Sequence, residues 1–71
     1  LQPGTHRVKN KHKYISFFAL EDVEKLTLRG FKYELDNHNL YIDEPLCISN
    51  EGEGGVSFTE GLLLVVHQNE D

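Results

Sequence analysis

Apolar and polar positions divide this chain into short segments, each with its own period. Tyr14-Ile15-Ser16-Phe17-Phe18 has the aromatic and β-branched content of a strand. The next eleven residues change period. Placed at 100° per residue, Ala19, Leu20, Val23, Leu26 and Thr27 share an arc of about 120°, whereas strict alternation sets Val23 and Leu26 on opposite faces. That spacing predicts a helix over about residues 20–29. Glu21 and Asp22 in its first turn and Lys25 and Arg29 in its last match the helix dipole, and Gly30 supplies a stop. Read as a strand instead, the same stretch leaves an all-β chain.

Alternation then returns in Phe31-Lys32-Tyr33-Glu34-Leu35 and again in Leu40-Tyr41-Ile42-Asp43, with Asp36-Asn37-His38-Asn39 between them. A turn centred on Asn37-His38 pairs Leu35 with Leu40 and Tyr33 with Ile42 on one apolar face. Pro45 closes that hairpin. Leu46-Cys47-Ile48 reads as a short strand, and Asn50 to Gly55, with three glycines and two glutamates, reads as a flexible loop. Val56-Ser57-Phe58-Thr59 alternates, Leu62 to Val66 is apolar on both faces and reads as a central strand, and His67 to Asp71 is a polar tail.

The expected fold class is therefore α+β, a small and mostly antiparallel sheet with one short helix; the alternative is an all-β small barrel or sandwich. Residues 14–71 form the single domain. Residues 1–13 offer only Val8 to bury between Gln2 and Lys13 and are expected to be a mobile basic arm.

Composition sharpens this picture in three places. Leu, Ile, Val and Phe contribute 22 of the 71 residues, enough to build one core and no more. The longest apolar run, Leu62 to Val66, is far short of a membrane span. Cys47 is the only cysteine, so no internal disulfide forms, and with no glycosylation sequon the expected setting is intracellular, cytoplasm or nucleus. The chain lacks methionine, from which excision from a longer protein is expected.

Charge separates along the chain. The net charge is −5, yet Arg7, Lys9, Lys11 and Lys13 precede the first acid, and the body carries all twelve acids. In an extended chain these four cations project to one side about 7 Å apart. That repeat fits phosphates along a nucleic-acid strand, with Tyr14 as a stacking surface just beyond. The alternative is a solvated tail.

Other chemistry finds little footing. His6, His12, His38 and His67 have no metal-ligand spacing, and no residue pattern requires a cofactor or a metal. Glu51 and Glu53 flank Gly52 without forming a calcium or phosphate loop. Cys47 sits between two apolar residues with no base nearby to activate it, and the adjacent acids Glu21-Asp22 and Asp43-Glu44 diverge rather than converge. No catalytic residue is assigned. The function expected is a non-enzymatic protein-interaction domain of a larger intracellular protein, binding a polypeptide through a sheet edge or helix-sheet groove. The alternative is a nucleic-acid-binding domain using Arg7, Lys9, Lys11, Lys13 and Tyr14.

Overall fold

In the computed structural model, which describes residues 1–45 and 47–69, every regular element is a strand: β1 (Gly4–Val8), β2 (Tyr14–Phe31), β3 (Leu35–Leu40), β4 (Gly52–Phe58) and β5 (Glu60–Gln68). All pairings are antiparallel. One sheet runs β1-β4-β2-β3, and β5 pairs with the first half of β2 in a second sheet. The two sheets share β2 and close on one core, so the fold is an all-β sandwich and the α+β expectation is corrected.

The bending of β2 explains both the fold and the missing helix. Drawn straight, its 18 residues would run about 60 Å, yet the longest dimension of the molecule is 32 Å. The strand must turn back on itself. Phe17 and Phe31, from opposite ends of β2, meet edge to face with ring centroids 5.4 Å apart. Several register irregularities lie along the bend, and two of them coincide with phase changes in burial. Ile15, Phe17, Ala19 and Val23 are buried at odd positions, Leu26 and Leu28 at even ones, and Phe31 is odd again. The first phase change falls at Lys25, with φ +56°, and the second at Gly30, with φ +91°; the register slips at both places. The three-residue step from Val23 to Leu26, which mimics a helical stripe, is the first bulge.

The hairpin expectation is corrected as well. Residues 35–40 form one strand against β2, with Leu40 opposite Val23, His38 opposite Leu26 and Leu35 opposite Leu28. The chain reverses instead at residues 32–34. Leu40 is buried and Leu35 packs against the core, as an apolar face requires, but Tyr33 and Ile42 are 58% and 55% exposed. The left-handed residue is Asn37, with φ +48°, and it forms an irregularity inside β3 rather than a turn between strands.

The glycine-rich stretch is not a flexible loop either. Gly54 and Gly55 lie in β4 between β1 and β2, and a Cβ on Gly54 would overlap the Arg29 carbonyl oxygen. Glycine serves close backbone approach here. Nor is the apolar β5 central: it pairs with β2 alone, burying Leu63 while Leu64 stays 42% exposed.

Residues 4–8 of the expected arm form β1, in register with β4 from Gly4 opposite Phe58 to Val8 opposite Gly54, and Val8 joins the core. Cys47 is buried in a turn, and burial pushes its thiol up to about 11. Leu46 and the tail residues Glu70 and Asp71 lie outside the described residues.

Candidate functional site

Two loops meet beside the first residues of β2: residues 32–34, which join β2 to β3, and residues 47–51, which lead into β4. Asn50 ties them together. Its side chain is almost wholly buried, yet every bond it makes goes to backbone. Oδ1 accepts from the N–H of Tyr33 at 2.9 Å and of Glu51 at 2.9 Å, and Nδ2 donates to the Tyr33 carbonyl at 2.8 Å. The carboxamide thus pairs with Tyr33 on both sides, as a neighbouring strand would. Its own backbone exchanges two bonds of 2.8 Å with Ile15, an isolated bridge that fastens the loop to β2.

Further bonds stiffen the same corner. Ser49, held at φ +57°, donates its N–H to the buried Ser16 hydroxyl at 2.9 Å, and Phe17 N–H donates to the Cys47 carbonyl at 2.9 Å. Lys32 N–H donates to the Glu51 carbonyl at 2.8 Å, while Lys32 Nζ pairs with Glu51 Oε2 at 3.1 Å and lies 5.4 Å from the Tyr33 ring centre. The hydrogen bond and charge of Glu51 raise the Lys32 ammonium above its ordinary value. A left-handed non-glycine residue costs of order 1–3 kcal/mol and persists only where its surroundings enforce it. What the scaffold holds out to solvent is the Tyr33 ring and the Ile48 side chain, 45% exposed, with Ser49 beside it. These side chains offer solvent an aromatic, an apolar and a hydroxyl group, chemistry that a flat heterocycle can use.

A second feature is a cleft of about 610 Å³ lined by Asp22, His38, Tyr41, Ile42, Asp43 and Glu44. Its size suits a small molecule, but two of its acids are already engaged. Asp22 accepts from Ile42 N–H at 3.1 Å; Glu44 accepts from Tyr41 N–H at 3.2 Å and meets His38 Nε2 at 2.9 Å. The His38 bond, followed by that of Tyr41, holds the Glu44 carboxyl below its ordinary value. These carboxylates shape the connection from β3 toward Cys47.

The residues assigned to a nucleic-acid strand do not line up. Arg7 lies in β1, exposed and opposite Gly55, but the strand ends at Val8 and Lys9, Lys11 and Lys13 follow in an irregular connection. Every-second-residue spacing puts cations on one side only while the backbone is extended. The Tyr14 ring has Lys13 Nζ 5.4 Å from its centre, and Tyr14 itself is paired with Gln68 in the sheet. Tyr33, Ile48, Ser49 and Asn50, by contrast, went unassigned in the sequence. Tyr33 alternates as a core residue does, and only the folded chain shows it turned outward.

The fold is thus a β-sandwich with a densely hydrogen-bonded corner that exposes an aromatic ring. The comparisons with known proteins make this specific. The family model described as "Thiamin pyrophosphokinase, vitamin B1 binding domain" matches residues 5–63, and the chain belongs to this family. A thiamine pyrophosphokinase of Bacillus subtilis (strain 168) is 40% identical over 74 aligned residues, covering 96% of this chain and 35% of that protein. The crystal structure of thiamine pyrophosphokinase from Bacillus subtilis superposes with a TM-score of 0.92 at 37% identity, over 99% of this chain and 36% of the other. That of thiamin pyrophosphokinase from Geobacillus thermodenitrificans gives 0.85 at 37% identity, over 97% and 35%. The chain thus spans about a third of the length of these relatives.

This membership corrects the functional expectations. The relatives are enzymes and the matched segment is described by a vitamin, which overturns the non-enzymatic protein-interaction domain and the nucleic-acid alternative built on Arg7, Lys9, Lys11, Lys13 and Tyr14. The polypeptide and nucleic-acid partners are corrected on the same ground, since the matched family is described by a vitamin. Among the described residues, no helix is long and apolar enough to cross a membrane.

Proposed function

We propose that this domain binds thiamine within a thiamine pyrophosphokinase, and that the surface formed by Tyr33, Ile48 and Ser49 takes the vitamin. Thiamine is a cation with two linked heterocycles, an aminopyrimidine and a thiazolium that carries a hydroxyethyl arm. The arm is the group to be pyrophosphorylated. A domain amounting to about a third of the enzyme therefore contributes by holding the rings, while donor binding and transfer belong to the rest of the parent chain, inside the cell.

The observation that carries this reading is the buried Asn50 carboxamide, two of whose three hydrogen bonds fix the backbone of an exposed tyrosine. A flat ring gains from an aromatic partner whose backbone is already fixed when it arrives. The acid-rimmed cleft beside Asp22 and Glu44 suits a cation in charge, but both of those carboxylates are committed to backbone or to His38.

Kinetics of the parent enzyme test the assignment. Stacking of a base on an aromatic side chain is worth about 1–3 kcal/mol, so Tyr33→Ala should raise KM for thiamine roughly fivefold or more, while Tyr33→Phe keeps it within about twofold. An unchanged KM in Tyr33→Ala would place the vitamin elsewhere.

A further inference from the structure

Apart from the corner held by Asn50, the β1–β2 connection and the end of β5 bring two histidines together. His12 and His67 have ring centroids 5.6 Å apart, tilted by 52°, and both are exposed. Each ring is anchored through Nδ1: His67 to Asn10 Oδ1 at 3.0 Å, His12 to Asn69 Oδ1 at 3.2 Å. The Asn10 amide has a fixed orientation, because its Nδ2 donates to the Gly52 carbonyl at 3.1 Å and its Oδ1 also accepts the His12 backbone N–H at 3.1 Å. A carboxamide oxygen can only accept. Nδ1 therefore carries the proton in the neutral His67 ring, which leaves its lone pair on Nε2, and the Asn69 oxygen placed against His12 Nδ1 favours the same tautomer there. Neither Nε2 has a partner among the described residues.

This is the arrangement a metal-binding histidine needs: one ring nitrogen donating to a carbonyl, the other free to ligate. Two imidazoles on one tetrahedral cation, at metal–nitrogen distances of about 2.0–2.1 Å, place their ring centres roughly 5 Å apart. The observed centroid separation of 5.6 Å is close to that. Lys11 and Lys13, the chain neighbours of His12, oppose a cation, but between exposed groups that repulsion is screened by salt.

We propose that His12 and His67 form a two-imidazole site for a late first-row divalent cation, with Asn10 and Asn69 orienting the ligands and water completing the coordination shell. Nitrogen ligands favour Cu²⁺ over Zn²⁺. Bound there, the cation would clasp the β1–β2 connection to the end of β5. The site stands independently of the thiamine assignment.

Titration of the intact chain with Zn²⁺ by calorimetry, and with Cu²⁺ by the paramagnetic broadening of amide resonances, tests it. One equivalent should bind, with broadening centred on His12 and His67. His12→Ala and His67→Ala should each weaken Zn²⁺ at least tenfold, and Asn69→Ala about tenfold through loss of the orienting carbonyl. His6→Ala should leave binding unchanged. Binding that survives both His12→Ala and His67→Ala, or broadening centred on His6, His38 or the terminal amine, would overturn the proposal. So would the same resonances responding to inorganic phosphate and not to Zn²⁺.

Discussion

Replacing Asn50 with alanine removes three hydrogen bonds at once and leaves the Tyr33 N–H, the Tyr33 carbonyl and the Glu51 N–H without their partner. A net contribution of about 0.5–1.5 kcal/mol per bond gives roughly 2–4 kcal/mol for the three. At about 0.05–0.15 kcal/mol per residue, a domain of this length has only some 4–11 kcal/mol in total. The substitution should therefore cost a large part of the stability. In urea, with a slope near the low end of about 1–3 kcal/mol/M, the midpoint should fall by about 2 M with little change in slope. Asn50→Asp should not restore the parent midpoint, since it sets a buried carboxylate oxygen against the Tyr33 carbonyl in place of the donor. Faster exchange of the Tyr33 and Glu51 amides should accompany the shift. A midpoint for Asn50→Ala within experimental error of the parent would refute the idea that this side chain holds the corner together.

Three other outcomes follow from the fold. Gly54→Ala forces a methyl into the Arg29 carbonyl oxygen and should cost about 3 kcal/mol or more, visible as loss of the cooperative thermal transition. Deleting residues 1–8 removes β1 and the buried Val8, worth about 1.5–3 kcal/mol by itself, so Tm should drop by at least about 8 °C; an unpaired arm would leave it unchanged. Glu44, whose folded carboxyl is held below its ordinary 4.5 by His38, stabilises the fold above that value and ceases to do so as pH falls through the lowered one. Acid titration of stability should accordingly be shallower below about pH 4.5 in Glu44→Gln than in the parent, and equal slopes would contradict the pairing.

The residues that bury were largely legible in the sequence; their neighbours in space were not. Ile15, Phe17, Leu40, Val56 and Leu63 fill the core as their apolar spacing suggests, whereas Leu28, outside the helical stripe, is also buried and Leu20, inside it, is 51% exposed. Register depended on bulges at Lys25 and Gly30, and a bulge leaves no mark in a hydrophobic pattern except a broken period. Val23 and Leu26 show such a break, and three residues of separation is also the signature of a helix. Leu35 and Leu40 each found a partner in β2 rather than in each other, because a strand long enough to fold back can satisfy both. The glycines from 52 to 55 read as freedom, although Gly54 is there because no side chain fits against β2. At the candidate site the obstacle was different in kind. An exposed Tyr33 and a buried Asn50 reverse the usual preferences of tyrosine and asparagine, and only the pairing of two loops distant in sequence reveals why.

The position of thiamine in the parent enzyme tests the account most directly. In a crystal structure of that enzyme with thiamine bound, the pyrimidine ring should lie against the Tyr33 ring, with ring centres about 4.5–7 Å apart and Ile48 and Ser49 alongside. Thiamine in the cleft between Asp22 and Glu44, or on any surface that leaves Tyr33 bare, would contradict it.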